Sequence, residues 1–237
     1  MTRLSVNINK IALLRNARGS DIPNVVQFAR DCERFGAQGI TVHPRPDERH
    51  ITRLDVYELK NTVTTEFNIE GYPTPDFLEM VRLIRPQQCT LVPDAPSQLT
   101  SDHGWDTVQH RTFLTEIIAE LHAKQVRVSL FIDPSPKLIE AAKAVGADRI
   151  EFYTGLYAHD FYKDKDAAIK DFIIAANYCN QIGMGINAGH DLNLDNLKFF
   201  KQNIPGLLEV SIGHALVRDC LYYGLENTIQ LYLRQLE

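Results

Sequence analysis

Short apolar runs along this chain end repeatedly on one polar or titratable side chain. Residues 4–6 run into Asn7, 39–42 into His43 and 67–69 into Glu70. Further on, 128–132 meets Asp133, Ile150 meets Glu151, 184–186 meets Asn187, and 210–212 meets Gly213 and His214. Apolar runs this short, separated by segments with helical periodicity, predict buried parallel strands. Polar residues gathered at strand C-termini predict chemistry on one rim of a barrel.

The pattern predicts strands over residues 4–8, 39–43, 67–70, 89–92, 126–132, 149–153, 184–187 and 208–212. Pro23 opens a helix with apolar Val25, Val26, Phe28 and Ala29 that ends near Gly36. Others begin near Arg53, behind the Pro73/Pro75 pair, over 112–124, over 167–182 and from Leu194, and a last helix fills the C-terminus. The stretch holding Arg15, Asn16, Arg18 and Gly19 reads as a polar loop. Residues 94–106 read as a long polar loop of the functional or mobile kind. Strands and helices in one repeating order predict an α/β fold, a closed (β/α)8 TIM barrel. With no Gly/Ser-rich linker, residues 1–237 read as one domain. An open doubly wound sheet is disfavoured because the first turn, Asn9-Lys10-Ile11, lacks a GxGxxG pattern.

Composition narrows the partners. With 25 Lys+Arg against 30 Asp+Glu the net charge is −5, the opposite of a nucleic-acid footprint. No run approaches the roughly 18 apolar residues of a membrane span, and Met1 leads into a strand without a signal region. The four cysteines show no CxxC spacing, which fits reduced thiols and a cytoplasmic location. His43 and His50 stand seven residues apart with no HxH or HExxH spacing, so no metal is expected.

Chemistry is expected from the strand ends. His43 titrates near neutrality and suits proton transfer. Glu70, ending an apolar strand, should be partly desolvated and its pKa raised, unless it is solvated or paired with an arginine. Glu151 is similar, but its place in the strand could put it inside the barrel, balancing a substrate cation or pairing with a basic residue. Gly189 permits close backbone approach, with His190 at the barrel mouth. Gly213 and His214 form a tight turn into a helix, an arrangement that binds phosphate. Arg18, Arg45, His50 and Thr100 lie in loops that reach the same rim and suit a second anion. An isomerase or aldolase acting on a phosphorylated sugar, or a non-catalytic phosphate binder, remains open. A Schiff-base aldolase lacks its strand-end lysine.

Together the stretches VNINKIALLRNARG, GITVHPRPDERHI, FNIEG, LVPD, VSLFID, IEFYTG, NAGHDLN and SIGHA, in order from Val6 to Ala215, resemble the pyridoxine 5′-phosphate synthase family. The resemblance implies a TIM barrel that condenses 3-amino-2-oxopropyl phosphate with 1-deoxy-D-xylulose 5-phosphate. Pyridoxine 5′-phosphate, phosphate and water would be formed without a cofactor. It implies His43 and Glu70 as proton acceptors, His190 as proton donor, and Glu151 as stabiliser of a charged transition state. Asn7, Arg18, Asp191, Gly213 and His214 would hold the amino-ketone phosphate. Asn9, Lys10, Arg45, His50 and Thr100 would hold the pentulose phosphate. A cytosolic homo-octamer is the implied assembly. Two departures from the family pattern stand out: Asn9-Lys10 replaces an Asp-His pair, and Asp191 stands where glycine is common, a position whose side chain can point away if only its backbone N–H is used.

Overall fold

The computed structural model describes residues 1–94 and 101–237. Eight parallel strands close into a barrel in sequence order, β1 pairing with both β2 and β8. They are β1 (Arg3–Asn7), β2 (Gly39–Val42), β3 (Glu66–Gly71), β4 (Gln88–Leu91), β5 (Arg127–Ile132), β6 (Arg149–Tyr153), β7 (Gly185–Gly189) and β8 (Leu207–Ile212). The (β/α)8 expectation is met.

Strand residues alternate, and the alternation sorts them. Leu4, Val6, Ile40, Val42, Ile69, Leu91, Leu130 and Ile150 are fully buried in the apolar core that also takes in the helices. Most of their neighbours are polar and face the lumen, with Phe131 beside Leu130 an apolar exception. Ser5 Oγ lies 2.7 Å from Thr41 Oγ1, Asn68 donates to Thr41 at 3.3 Å, and Thr90 donates to Asn68 at 3.1 Å. Thr90 on β4 also reaches Glu151 on β6 at 3.5 Å, which only a path across the lumen allows. Where many barrels fill this space with branched aliphatics, this one fills it with hydrogen-bonded polar groups, and its apolar core is the ring between strands and helices.

The helices are α1 (Asn9–Asn16), α2 (Val25–Arg34), α3 (Arg53–Lys60), α4 (Pro75–Ile84), α5 (Arg111–His122) and α6 (Pro136–Ala144). They continue with α7 (Gly155–Asp160), α8 (Lys165–Ile182), α9 (Leu197–Asn203), α10 (His214–Tyr223) and α11 (Leu225–Gln235). Three local expectations are corrected. The stretch after β1, read as a polar loop, is mostly α1: it has no breaker, and it buries Ile11, Ala12 and Arg15 at helical spacing. Arg15 is held there by two donations to Asp55, one at 2.8 Å. Pro23 precedes α2 rather than opening it; Asn24 is the cap, accepting from Gln27 N–H at 2.7 Å. The C-terminus holds two helices, parted at Gly224, whose φ of 74° and ψ of 157° cannot continue a helix.

Of the 94–106 loop, residues 95–100 lie outside the described residues. Beyond them Trp105 pins the chain to the barrel, its backbone N–H donating to Phe131 O at 2.8 Å and its indole N–H to Leu91 O at 3.0 Å.

Candidate active site

His43 and Glu70 end adjacent strands on the C-terminal rim, with His43 Nδ1 3.9 Å from Glu70 Oε2. That is too long for a hydrogen bond, so the two are neighbours rather than a bonded pair. Both are buried, and burial acts on them in opposite directions. It holds His43 well below its ordinary 6.5, assisted by the positive charges of Arg45, His50 and Arg49. It raises Glu70 to about 8, assisted by the negative charge of Asp94. The resting pair is therefore a neutral imidazole beside a protonated carboxyl. Asn7 Nδ2, donating from β1, lies 3.3 Å from Glu70 Oε2, and the Ser211 hydroxyl also bonds that carboxyl.

Glu151 is inside the barrel, where burial and then the charges of Glu70 and Glu209 raise it well above the usual carboxylate range. Gly189 is required by this neighbour: a Cβ there would overlap Glu151 Oε1 and lie 3.3 Å from Ser211 O. The expected close approach is thus made by a carboxylate of the protein itself.

His190 and Asp191, just past β7, both have left-handed backbones, φ 78° and 56°. Asp191 sits where glycine is expected for that reason, and aspartate is among the side chains that tolerate the conformation best. Thr154 Oγ1 fixes the turn by donating to Gly189 O at 2.8 Å and to His190 O. The Asp191 side chain turns onto its neighbour: His190 Nδ1 lies 2.9 Å from Asp191 Oδ2. That hydrogen bond holds the Asp191 carboxyl below its ordinary range. The Tyr153 ring stands edge-on to His190 at 5.3 Å.

Gly213 caps α10 and packs on Asn7, to which an added Cβ would approach within 3.1 Å. His214 opens the helix, so backbone N–H groups and the positive end of α10 stand beside the β1 end.

The second anion group gathers on the β2 side. Arg45 donates to Asp94 at 2.6 Å. His50 Nδ1 accepts from Ile51 N–H at 2.9 Å, which leaves the proton on Nε2 as a donor. Burial and the charges of Arg45, Lys10 and Arg49 bring His50 down to about 4, so Lys10 and Arg45 share one electrostatic neighbourhood with it. Asn9 spends its Oδ1 on His43 N–H at 2.9 Å, which leaves only its Nδ2 for a ligand. Arg18 is exposed on the turn after α1. Thr100 lies outside the described residues. A cavity of about 590 Å³, in the size range of ligand sites, lies against Arg45, Glu48, Arg53, Thr74 and Phe77. A small one of about 20 Å³ lies among His43, Arg45, Tyr72 and Asp94.

Asp94, Tyr153 and Ser211 belong to this rim and carried no role in the sequence reading. Asp94 and Ser211 had a legible signal, since each is a polar residue at or just past the C-terminal end of an apolar strand. Among the described residues no group of three or more His, Cys, Asp or Glu is placed to hold a metal, and no helix is long and apolar enough to cross a membrane.

Among solved structures, tryptophan synthase from M. tuberculosis aligns over 100% of this chain and 94% of its own, with TM-score 0.64 at 11% identity. Thiamine phosphate pyrophosphorylase from Pyrococcus furiosus aligns over 99% and 95%, with TM-score 0.62 at 12% identity. These likenesses establish the barrel fold alone. The family described as "Pyridoxal phosphate biosynthesis protein PdxJ" matches residues 4–237. A pyridoxine 5′-phosphate synthase of Cytophaga hutchinsonii is 60% identical over 237 residues, covering 100% of both chains. That of Bacteroides fragilis is 58% identical over 232 residues, covering 98% of both. With family and relatives matching from end to end, this chain belongs to the pyridoxine 5′-phosphate synthase family.

Proposed function

We propose that this chain, acting as one barrel domain, condenses 3-amino-2-oxopropyl phosphate with 1-deoxy-D-xylulose 5-phosphate, and that His43, Glu70 and His190 carry the proton transfers. The observation that supports this assignment most directly is the neutral His43 lying 3.9 Å from the protonated Glu70. Joining an amine to a ketone, expelling water and phosphate, and closing an aromatic ring are successive proton removals and deliveries. A neutral imidazole beside a protonated carboxyl provides one acceptor and one donor at neutral pH without a redox cofactor. Glu70 enters protonated, gives its proton to a departing oxygen, and as an anion then accepts the next. A developing substrate cation would favour that anion, and Glu151 behind it adds a second carboxyl able to answer the same charge. His190, oriented by Asp191, is the proton donor from the opposite side of the mouth.

Two anion sites hold the two phosphates. The α10 N-terminus at Gly213 and His214, with Asn7, Arg18 and Asp191 N–H, takes the amino-ketone phosphate. Arg45, His50 Nε2–H, Lys10, Asn9 and Thr100 take the pentulose phosphate. Holding both substrates makes ring closure effectively intramolecular. The protein is cytoplasmic in this reading and assembles as a homo-octamer. Exposed Leu221, Tyr222 and Tyr223 on α10 favour self-association, and light scattering in solution tests the octamer.

The deciding assay mixes purified protein with both phosphates and follows the ultraviolet absorbance of a pyridine ring. Product is expected only when both substrates are present. Turnover of either phosphate alone would point to an isomerase or aldolase instead.

A further inference from the structure

Arg45 and Asp94 form the most buried ion pair of the rim, their side chains 5% and 0% exposed, with Arg45 Nη2 donating to Asp94 Oδ2 at 2.6 Å. Ser101 Oγ donates to the same oxygen at 2.5 Å. Among the described residues the other oxygen, Oδ1, is buried with no hydrogen-bond partner, and the side-chain bonds to this carboxylate come from Arg45 and Ser101. Among the described residues Arg45 makes this one side-chain hydrogen bond, which leaves Nε and Nη1 unspent. Both cavities of the β2 side touch Arg45, and the smaller one touches Asp94 and His43 as well.

An arginine on a long, rotatable stem gains a defined direction only when part of its fork is anchored. We propose that Asp94 is a positioning residue for the condensation: by holding Nη2 of Arg45 and the Ser101 hydroxyl on one carboxylate oxygen, it sets the remaining Arg45 donors to receive the phosphate of the pentulose substrate. The proposal rests on reading Arg45 as a ligand of that phosphate. Asp94 also reaches the acid–base pair, because its negative charge is the largest contributor after burial to the raised pKa of Glu70. Glu70 is faced by Asn7 from β1, His43 and Arg45 from the β2 end, and Cys89 and Asp94 from β4 and its end. Glu151 from β6, and Glu209 and Ser211 from β8, complete its surroundings.

Steady-state kinetics with each substrate varied in turn tests this. Asp94→Asn keeps the shape and removes the charge. It is expected to raise KM for 1-deoxy-D-xylulose 5-phosphate on the order of tenfold or more, with KM for the amino-ketone phosphate near wild type. The alkaline limb of the kcat/KM profile, set by loss of the Glu70 proton, should move to lower pH. Asp94→Glu keeps the charge and so protects the fold, but displaces the carboxylate. It should raise the same KM without moving that limb. Arg45→Lys is the control: if it leaves the pentulose KM unchanged, the reading of Arg45 falls and the proposal with it. If Arg45→Lys raises that KM while both Asp94 variants leave it at wild type, the proposal alone is overturned. A fall in the pentulose KM of Asp94→Asn also overturns it, since the carboxylate would then be competing with the phosphate for Arg45. Equal rises in both KM values would mean a general structural role and would overturn it too.

Discussion

Replacing Glu70 with glutamine separates what this side chain does for catalysis from what its burial does to the fold. The carboxyl is raised from its ordinary 4.5 to about 8, chiefly by burial. Below pH 4.5 the folded and unfolded chains both hold this proton, and the site has no effect on stability. As the pH rises from 4.5 toward 8, the unfolded chain releases the proton while the folded chain keeps it. Unfolding therefore becomes progressively easier until the folded carboxyl ionises as well. Each tenfold in the proton equilibrium corresponds to about 1.4 kcal/mol, so the loss reaches roughly 3 kcal/mol at pH 7. Glutamine never ionises and is free of this loss. For a chain of this length about 2–4 °C of Tm accompanies each kcal/mol. Glu70→Gln should therefore melt higher than the wild type by roughly 6–12 °C at pH 7 and by almost nothing at pH 4.5. The same protein should form no pyridine product. Thermal unfolding of both proteins from pH 4 to 8.5, with the absorbance assay in parallel, gives both readouts. A stability difference that stays constant across pH, or that favours the wild type more as pH rises, would refute the claim that burial keeps Glu70 protonated.

Other substitutions probe the rest of the rim. Gly189→Ala drives a methyl group into Glu151 Oε1 and should cost about 1–3 kcal/mol, as overpacking does, together with most of the turnover; urea unfolding and the absorbance assay check it. Asp55→Ala strands Arg15, whose side chain is only 10% exposed, and also removes the capping box of α3. A loss of about 3–5 kcal/mol is expected, measured by denaturant unfolding. His43 is held well below 6.5, so it stays neutral through the physiological range. Titration of its ring protons by NMR should show no change between pH 6 and 8, and a midpoint near 6.5 would contradict the burial argument.

The strand-end positions of His43, Glu70 and His190 follow from apolar runs terminated by single polar groups, and the barrel follows from the repeating order of those runs. Asn7 and Glu70 stand out as the polar ends of apolar runs, whereas Ser211 lies inside a run and Asp94 beyond Pro93, and only the closed barrel brings them to the rim. The helix α1 is hidden in the sequence because its apolar residues do not mark its buried face: Leu13 and Leu14 are exposed while Arg15 is buried, and the single turn of buried positions is too short a signal. Glycine at 189 was visible, but its reason was not: the Glu151 carboxylate that needs the space arrives from 38 residues away along the chain.

Periodicity, chain length and strand-end chemistry are properties of neighbouring residues, and they sufficed for the barrel and for which rim carries the acid–base groups. The ionisation of those groups was not available from neighbours. A glutamate titrates near 8 and a histidine stays neutral because closure of the sheet brings Asp94, Arg45, Glu151 and Glu209 around one dry mouth from four different strands and loops. Electrostatic energy depends on distance through space and on exclusion of water, and the closed barrel sets both.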